Sequence, residues 1–221
     1  MTPTPALLLQ RKARRIRRGA WWAVACALLW LDTANAAPVT VTLTAASGAS
    51  AQDALVILDP LNAAPPPSSD TASIDQLDKH FVPRVSVLRT GTTVRFPNSD
   101  HIRHQVYSFS AAKVFTLKLY AGSPSAPITF DKPGLVVLGC NIHDRMLAFV
   151  GVVDTPYFAK ADASGSAVVN VPAGRYRLRV WHPALSATVP AQEITVEKTA
   201  LAIPLNVNID GAASAVAAWP E

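Results

Sequence analysis

Cys140, His143 and Met146 follow one another at intervals of three residues, directly after the apolar run 135–138, Leu-Val-Val-Leu. Such a run reads as a buried strand, and a strand ending in a tight loop can turn all three side chains toward one point. A thiolate, an imidazole and a thioether together form the donor set that selects copper, with the thioether in a long, weak axial bond. One equatorial donor is still missing. Segment 96–106 upstream offers two histidines, His101 and His104, and His104 opens the strand-like run 104–109. Two imidazoles and a thiolate in a plane with an axial thioether make the geometry of copper electron-transfer sites.

The N-terminus has its own signature. Arg11, Lys12, Arg14, Arg15, Arg17 and Arg18 precede an apolar stretch from Ala20 to Leu31, and Ala34-Asn35-Ala36 fits an A-x-A cleavage site. The stretch is about a dozen residues, short of the roughly 20 needed to span a bilayer. Residues 1–36 therefore read as a signal peptide cleaved near Ala36-Ala37, which places the mature chain in the periplasm with no stable membrane span. The paired arginines permit a twin-arginine export route without enforcing it.

Cleavage changes two arguments. The chain has 20 Lys and Arg against 15 Asp and Glu; residues 1–36 hold six of the former and one of the latter, leaving 14 of each. The high pI thus belongs to the leader, and no basic nucleic-acid-binding face is expected. Cys26 departs as well, so Cys140 remains as the single cysteine. An unpaired thiol in an oxidising compartment calls for a reason, and a metal is one.

The rest of the chain is written in short strands. Residues 39–43 alternate Val-Thr-Val-Thr-Leu and residues 54–58 form an apolar run, with Gly48 marking a turn between them. Residues 60–69, rich in Pro and Ser, read as a linker. Strands are expected within 81–88, at 94–96, 104–109, 115–119, 128–130, 135–138 and 147–153. Beyond Asp154 come strands at 167–171, 176–181, 194–196 and 205–209. Turns separate them at Gly165 and Gly174, and the Ala-rich tail 211–221 is expected to fray. No helix-period segment interrupts the series.

These motifs resemble the cupredoxins. Asn98, six residues before His104, and Val106, two after it, resemble the plastocyanin-type ligand segment, while Cys-x2-His-x2-Met is similar to the short ligand loop of amicyanin. Gln105 departs from the Asn that usually follows the first ligand. Resemblance to plastocyanin-like and methylamine-utilisation proteins continues through Val180-Trp181-His182-Pro183. The second half, with Asp-x-x-Gly, a strand and Pro-x-Gly-x-Tyr-x-Leu, resembles a carboxypeptidase regulatory-like or transthyretin-like β-sandwich, whose first half typically looks like residues 39–58.

The resemblance implies an all-β chain: a cupredoxin Greek-key β-sandwich over 63–153, and a second, small sandwich assembled from 37–62 and 154–210. The copper domain is then an insertion; two domains in series is the alternative. It implies His104, Cys140, His143 and Met146 as ligands of one type 1 copper, and Asn98 as a support tying the two ligand-bearing loops together. His104 is preferred to His101 for its spacing from Asn98, and His143 is the ligand expected nearest the surface. His182 and His80 are expected to take no part.

The expected function is single-electron shuttling between a periplasmic donor and acceptor protein, with a copper carrier as the alternative. An enzyme is not expected. Multicopper oxidases and copper nitrite reductases join the type 1 site to a second copper through a His adjacent to the Cys, and here Asn141 stands there.

Overall fold

A computed structural model describes residues 36–62, 65, 68–123, 126–210 and 218–220. The expected signal peptide, Ala36 aside, lies outside them, as does most of the tail. Among the described residues every regular element is a β-strand, and none is a helix long and apolar enough to cross a membrane.

Strands from the two ends of the chain share sheets. β1 (Ala37–Ala45) lies between β14 (Ser166–Val171), antiparallel, and β17 (Leu201–Val207), parallel. β2 (Leu55–Pro60) lies between β13 (Phe158–Lys160) and β15 (Gly174–Trp181), with β16 (Gln192–Val196) beyond, all antiparallel. Val39, Val41, Leu43, Val56, Leu58, Leu178 and Val180 meet in one core between these sheets. Pro204, which lacks the N–H a central strand would need, sits in β17 at the sheet edge.

The segment between them builds a second pair. β6 (Val85–Arg89), β12 (Leu147–Val153), β11 (Gly134–Gly139), β8 (His104–Ser110) and β9 (Lys113–Tyr120) form a five-stranded sheet in that order, with β6 and β12 parallel. Facing it are β10 (Ile128–Phe130), β7 (Thr92–Arg95) and β3 (Thr71–Ser73). Phe81, Val94, Phe96, Val106, Phe130, Val136, Leu138 and Val150 fill the space between. The hairpin of β4 (Asp75–Leu77) and β5 (His80–Val82) forms its own two-stranded sheet, with Phe81 reaching into that core and Gln76 bridged to Asn98.

A third core joins the two pairs. β2 and β12 are continuous apolar runs rather than alternating ones, the pattern of strands buried on both faces. Val56 and Leu58 face the first core, whereas Leu55 and Ile57 face the other way and meet Phe149, Val153, Val85 and Trp181. Ala148, Val150 and Val152 of β12 point into the second core. The order is four sheets with an apolar layer between each neighbouring pair. Burying one such aliphatic or Phe side chain contributes about 1.5–3 kcal/mol, so this seam is a core and not a passing contact.

The expectation of a frayed tail fails at its end. Trp219 packs 5.9 Å from Trp181 between ring centroids, and Arg179 binds the Pro220 carbonyl at 2.7 Å while pairing with Asp59 at 2.6 Å. Gly151 makes room for that indole, since a Cβ there would lie 2.5 Å from the Trp219 ring. An Ala-rich run gives no warning that one aromatic near the terminus has a prepared berth.

Three short strands were not foreseen. β3, β4 and β13 are each only three residues long, too short to show an apolar alternation. Segment 81–88 divides at Pro83: β5 pairs with β4 and β6 with β12.

Candidate metal centre

The loop from β11 to β12 makes two successive three-residue turns. The His143 N–H points to the Cys140 carbonyl at 3.5 Å, and the Met146 N–H donates to the His143 carbonyl at 2.9 Å. Residues three apart in such turns project on the same side, as in a 3₁₀ helix. The spacing of three between Cys140, His143 and Met146 is therefore what the backbone repeats. Cys140 and Met146 are buried in the core shared by β11 and β12, and His143 is half-buried.

His104, at the start of β8, is fully buried against them. Its Nδ1 lies 3.8 Å from Cys140 Sγ, and His143 Nδ1 lies 3.9 Å from the same sulfur. The two imidazole rings are 5.0 Å apart between centroids, and all three donor atoms fall within 4.8 Å of one another. Donors at about 2.0 Å (N) and 2.3 Å (S) from a central ion, set at trigonal angles, would lie roughly 3.7 Å apart, using bond lengths typical of zinc. The observed separations are of the size that would let these three donors hold one ion.

Of the four expected ligands, His104, Cys140 and His143 converge, and Met146 enters the same core as Cys140. His101 is exposed and stays outside. His80 is exposed, with its Nδ1 2.7 Å from the Asp78 carbonyl, and His182 accepts the Ala184 N–H at 3.1 Å. Burial pushes the His182 pKa down.

Asn98 acts differently from expectation. Its Nδ2 donates to the Ile102 carbonyl and to the Tyr120 carbonyl, each at 2.9 Å, and its Oδ1 accepts the Asp100 N–H at 3.0 Å. It fastens the His104-bearing loop to itself and to the end of β9, not to the Cys140 loop. The end of β9 is within reach because the β8–β9 ladder slips: His104 pairs with Tyr120 but Val106 with Leu117, which puts one extra residue in β9. The slip changes the parity of the strand, so Tyr120 turns inward like Phe115 and Leu117.

Several residues around the centre escaped sequence reasoning. Asp100 Oδ2 lies 2.8 Å from His104 Nε2, the ring nitrogen facing away from Cys140. The hydrogen bond to His104, joined by one from the Lys79 N–H, holds the Asp100 carboxyl down at about 2. The signal was an Asp four residues before a His, concealed in a Ser-Asp-His segment that reads as a turn. Tyr120 donates to the Phe96 carbonyl at 2.7 Å and accepts from Gln76 Nε2, which also reaches the Pro97 carbonyl at 3.0 Å. Burial, more than the negative charges of Asp75 and Cys140, pushes the Tyr120 phenol up to about 12 against the opposing Gln76 hydrogen bond. Tyr107 lies over Gly139, where a Cβ would sit 2.7 Å from its ring.

No family model matches the chain, and no curated protein does. Solved structures do match. A purple cupredoxin from Nitrosopumilus maritimus is 22% identical, covering 37% of this chain and 98% of its own, with a TM-score of 0.33. A reduced amicyanin mutant is 19% identical over 38% of this chain and 84% of its own, with a TM-score of 0.34. A copper-containing nitrite reductase from Thermus scotoductus SA-01 also matches, 25% identical with a TM-score of 0.37; the match covers 44% of this chain and only 26% of the reductase.

Proposed function

We propose that this is a periplasmic type 1 copper protein that passes single electrons between two protein partners. The observation that carries the reading is the convergence of His104 Nδ1 and His143 Nδ1 on Cys140 Sγ, at 3.8 and 3.9 Å, around the one cysteine of the described chain. Met146, buried in the same core as Cys140, would supply the weak fourth donor. Copper bound there provides a one-electron couple, Cu(I)/Cu(II).

The protein's own contribution is to hold four donors still. Cys140 and Met146 sit at the two ends of strands clamped between two cores, and His104 is fixed from behind through Nε2. A site built in advance pays little reorganisation when its charge changes by one. His143, the one incompletely buried member of the trio, is the edge through which an electron would pass. Asn141 after Cys140 offers no imidazole to a second copper, which favours a carrier over an enzyme. We read residues 63–153 as a copper domain inserted into a regulatory-like sandwich formed by 37–62 and 154–210; the shared sheets of β1, β2 and β13 to β17 support this division.

Copper titration of the purified protein, followed by visible absorption and electron paramagnetic resonance, tests the reading. One equivalent should give an intense blue band with narrow copper hyperfine splitting, and Cys140→Ser should abolish the band. A colourless protein that takes up Cu(I) alone would point to a copper carrier instead. A Cys140→Ser protein that kept its colour would refute the ligand assignment.

A further inference from the structure

The ring of His104 is held at both ends. Nδ1 faces the Cys140 sulfur, and Nε2 meets the carboxylate of Asp100 at 2.8 Å. An ionised carboxylate can only accept, so Nε2 carries the proton and the lone pair of Nδ1 points toward the other donors. His104 is fully buried, and the Asp100 side chain is 13% exposed.

Asp100 is itself gripped. Its Oδ2 accepts the Lys79 N–H at 2.8 Å, and its own N–H donates to Asn98 Oδ1 at 3.0 Å. Lys79 belongs to the two-residue turn between the paired residues Leu77 and His80. Asp78 and Lys79 both adopt left-handed backbone, with φ of 52° and 61°. Turns with positive φ at both central residues ordinarily use Asn-Gly or Asp-Gly. A lysine in the second position is unfavourable and persists where surroundings over-determine it, and here the turn aims its N–H at the carboxylate. The β4–β5 hairpin thus connects, through one oxygen of Asp100, to the buried imidazole.

We propose that Asp100 is a positioning residue that locks His104 in the Nε2–H tautomer and lowers the reduction potential of the copper bound by Nδ1; this rests on the copper reading above. The charge-assisted hydrogen bond draws the Nε2 proton toward the carboxylate and makes Nδ1 a stronger donor. A stronger donor, with a negative charge behind it, favours Cu(II) over Cu(I). Reduction adds one electron from the reductant to Cu(II); no bond at Asp100 forms or breaks, and no proton leaves it.

Asp100→Asn is the informative variant. A single oxygen, Oδ2, takes both donors, so an amide oxygen can replace it while the charge disappears. Asp144→Asn removes a nearby charge on the ligand loop without touching His104. Midpoint potentials from mediated titration should rise in Asp100→Asn by clearly more than in Asp144→Asn, with the blue band and one-copper stoichiometry retained. Asp100→Ala should weaken copper affinity roughly 10- to 100-fold. Nitrogen-15 spectra of the metal-free protein should show the Nε2–H tautomer for His104, lost in Asp100→Ala.

A blue Asp100→Asn protein whose potential equals that of the unsubstituted one, or matches Asp144→Asn, would overturn the proposal and leave the copper reading intact. An Nδ1–H tautomer in the metal-free protein would do the same. An unsubstituted protein with no blue copper would overturn the functional reading, and control of the potential with it.

Discussion

Phe149→Ala should cost the whole described fold about 4 kcal/mol, although Phe149 belongs to neither of the cores within the sheet pairs. Its side chain lies in the seam, 3% exposed, 5.7 Å from the Trp181 ring and beneath the Arg84 guanidinium at 5.6 Å. Truncating a buried Phe to Ala ordinarily costs about 3–5 kcal/mol through lost transfer and the cavity left behind, and the ring pair accounts for roughly 0.5–1.5 of that. Phe149→Leu, which keeps most of the volume but loses the ring contact, should cost only about 1–1.5 kcal/mol. Trp181 and Trp219 are the only tryptophans among the described residues and both line the seam, so in a chain starting at Ala37 tryptophan fluorescence reports on it directly. Urea unfolding followed by fluorescence and by circular dichroism should give coincident transitions, because β2 and β12 each serve two cores. At a slope of about 2.5 kcal/mol per molar urea, the Ala variant's midpoint should fall by about 1.6 M. A loss under about 1 kcal/mol, or a fluorescence transition well ahead of the dichroism, would mean that the sheet pairs are merely docked.

Two further perturbations probe the surroundings of the metal centre. Gly139→Ala places a methyl group 2.7 Å from the Tyr107 ring and should cost about 1–3 kcal/mol; in a Tyr107→Ala background most of that cost should vanish, and a full cost there would place the strain elsewhere. Tyr120, whose neutral form burial favours, should titrate near 12 where a free phenol titrates near 10. The stability it confers is complete below pH 10 and is lost as pH rises through 12. Ultraviolet difference titration of the native protein against Tyr120→Phe isolates its tyrosinate signal, and a signal centred at 10 would contradict the burial argument.

What the sequence made legible is what period and composition can carry. Three donors at a spacing of three forecast a repeating turn, and the runs at 54–58 and 147–153 were continuous because each strand faces two cores. Strands were expected at 104–109 and 115–119, but the slip between them was not visible, and with it went the inward turn of Tyr120. Asp100 was invisible for a related reason: its partner is four residues away around an irregular loop, and its other anchor, the Lys79 N–H, belongs to the backbone. Trp219 was read as part of a frayed end because the space it fills is created by Gly151, 68 positions earlier in the chain.

The seam and the metal centre are parts of one arrangement. Cys140 follows the last residue of β11 and Met146 precedes the first of β12, so the positions of both sulfurs are set by the register of that pair, in which Gly139 faces Leu147. On one face Val136, Leu138, Ala148 and Val150 press into the core that also holds both sulfurs; on the other, Leu135, Val137 and Phe149 press against the neighbouring sheet. A strand pair packed on one face alone could rock when the charge in its loop changes. Packed on both, β11 and β12 can move only by disturbing two cores together, each worth several kcal/mol. The β1 and β2 sheets, which contribute no donor, thereby give the seven-residue loop a fixed base.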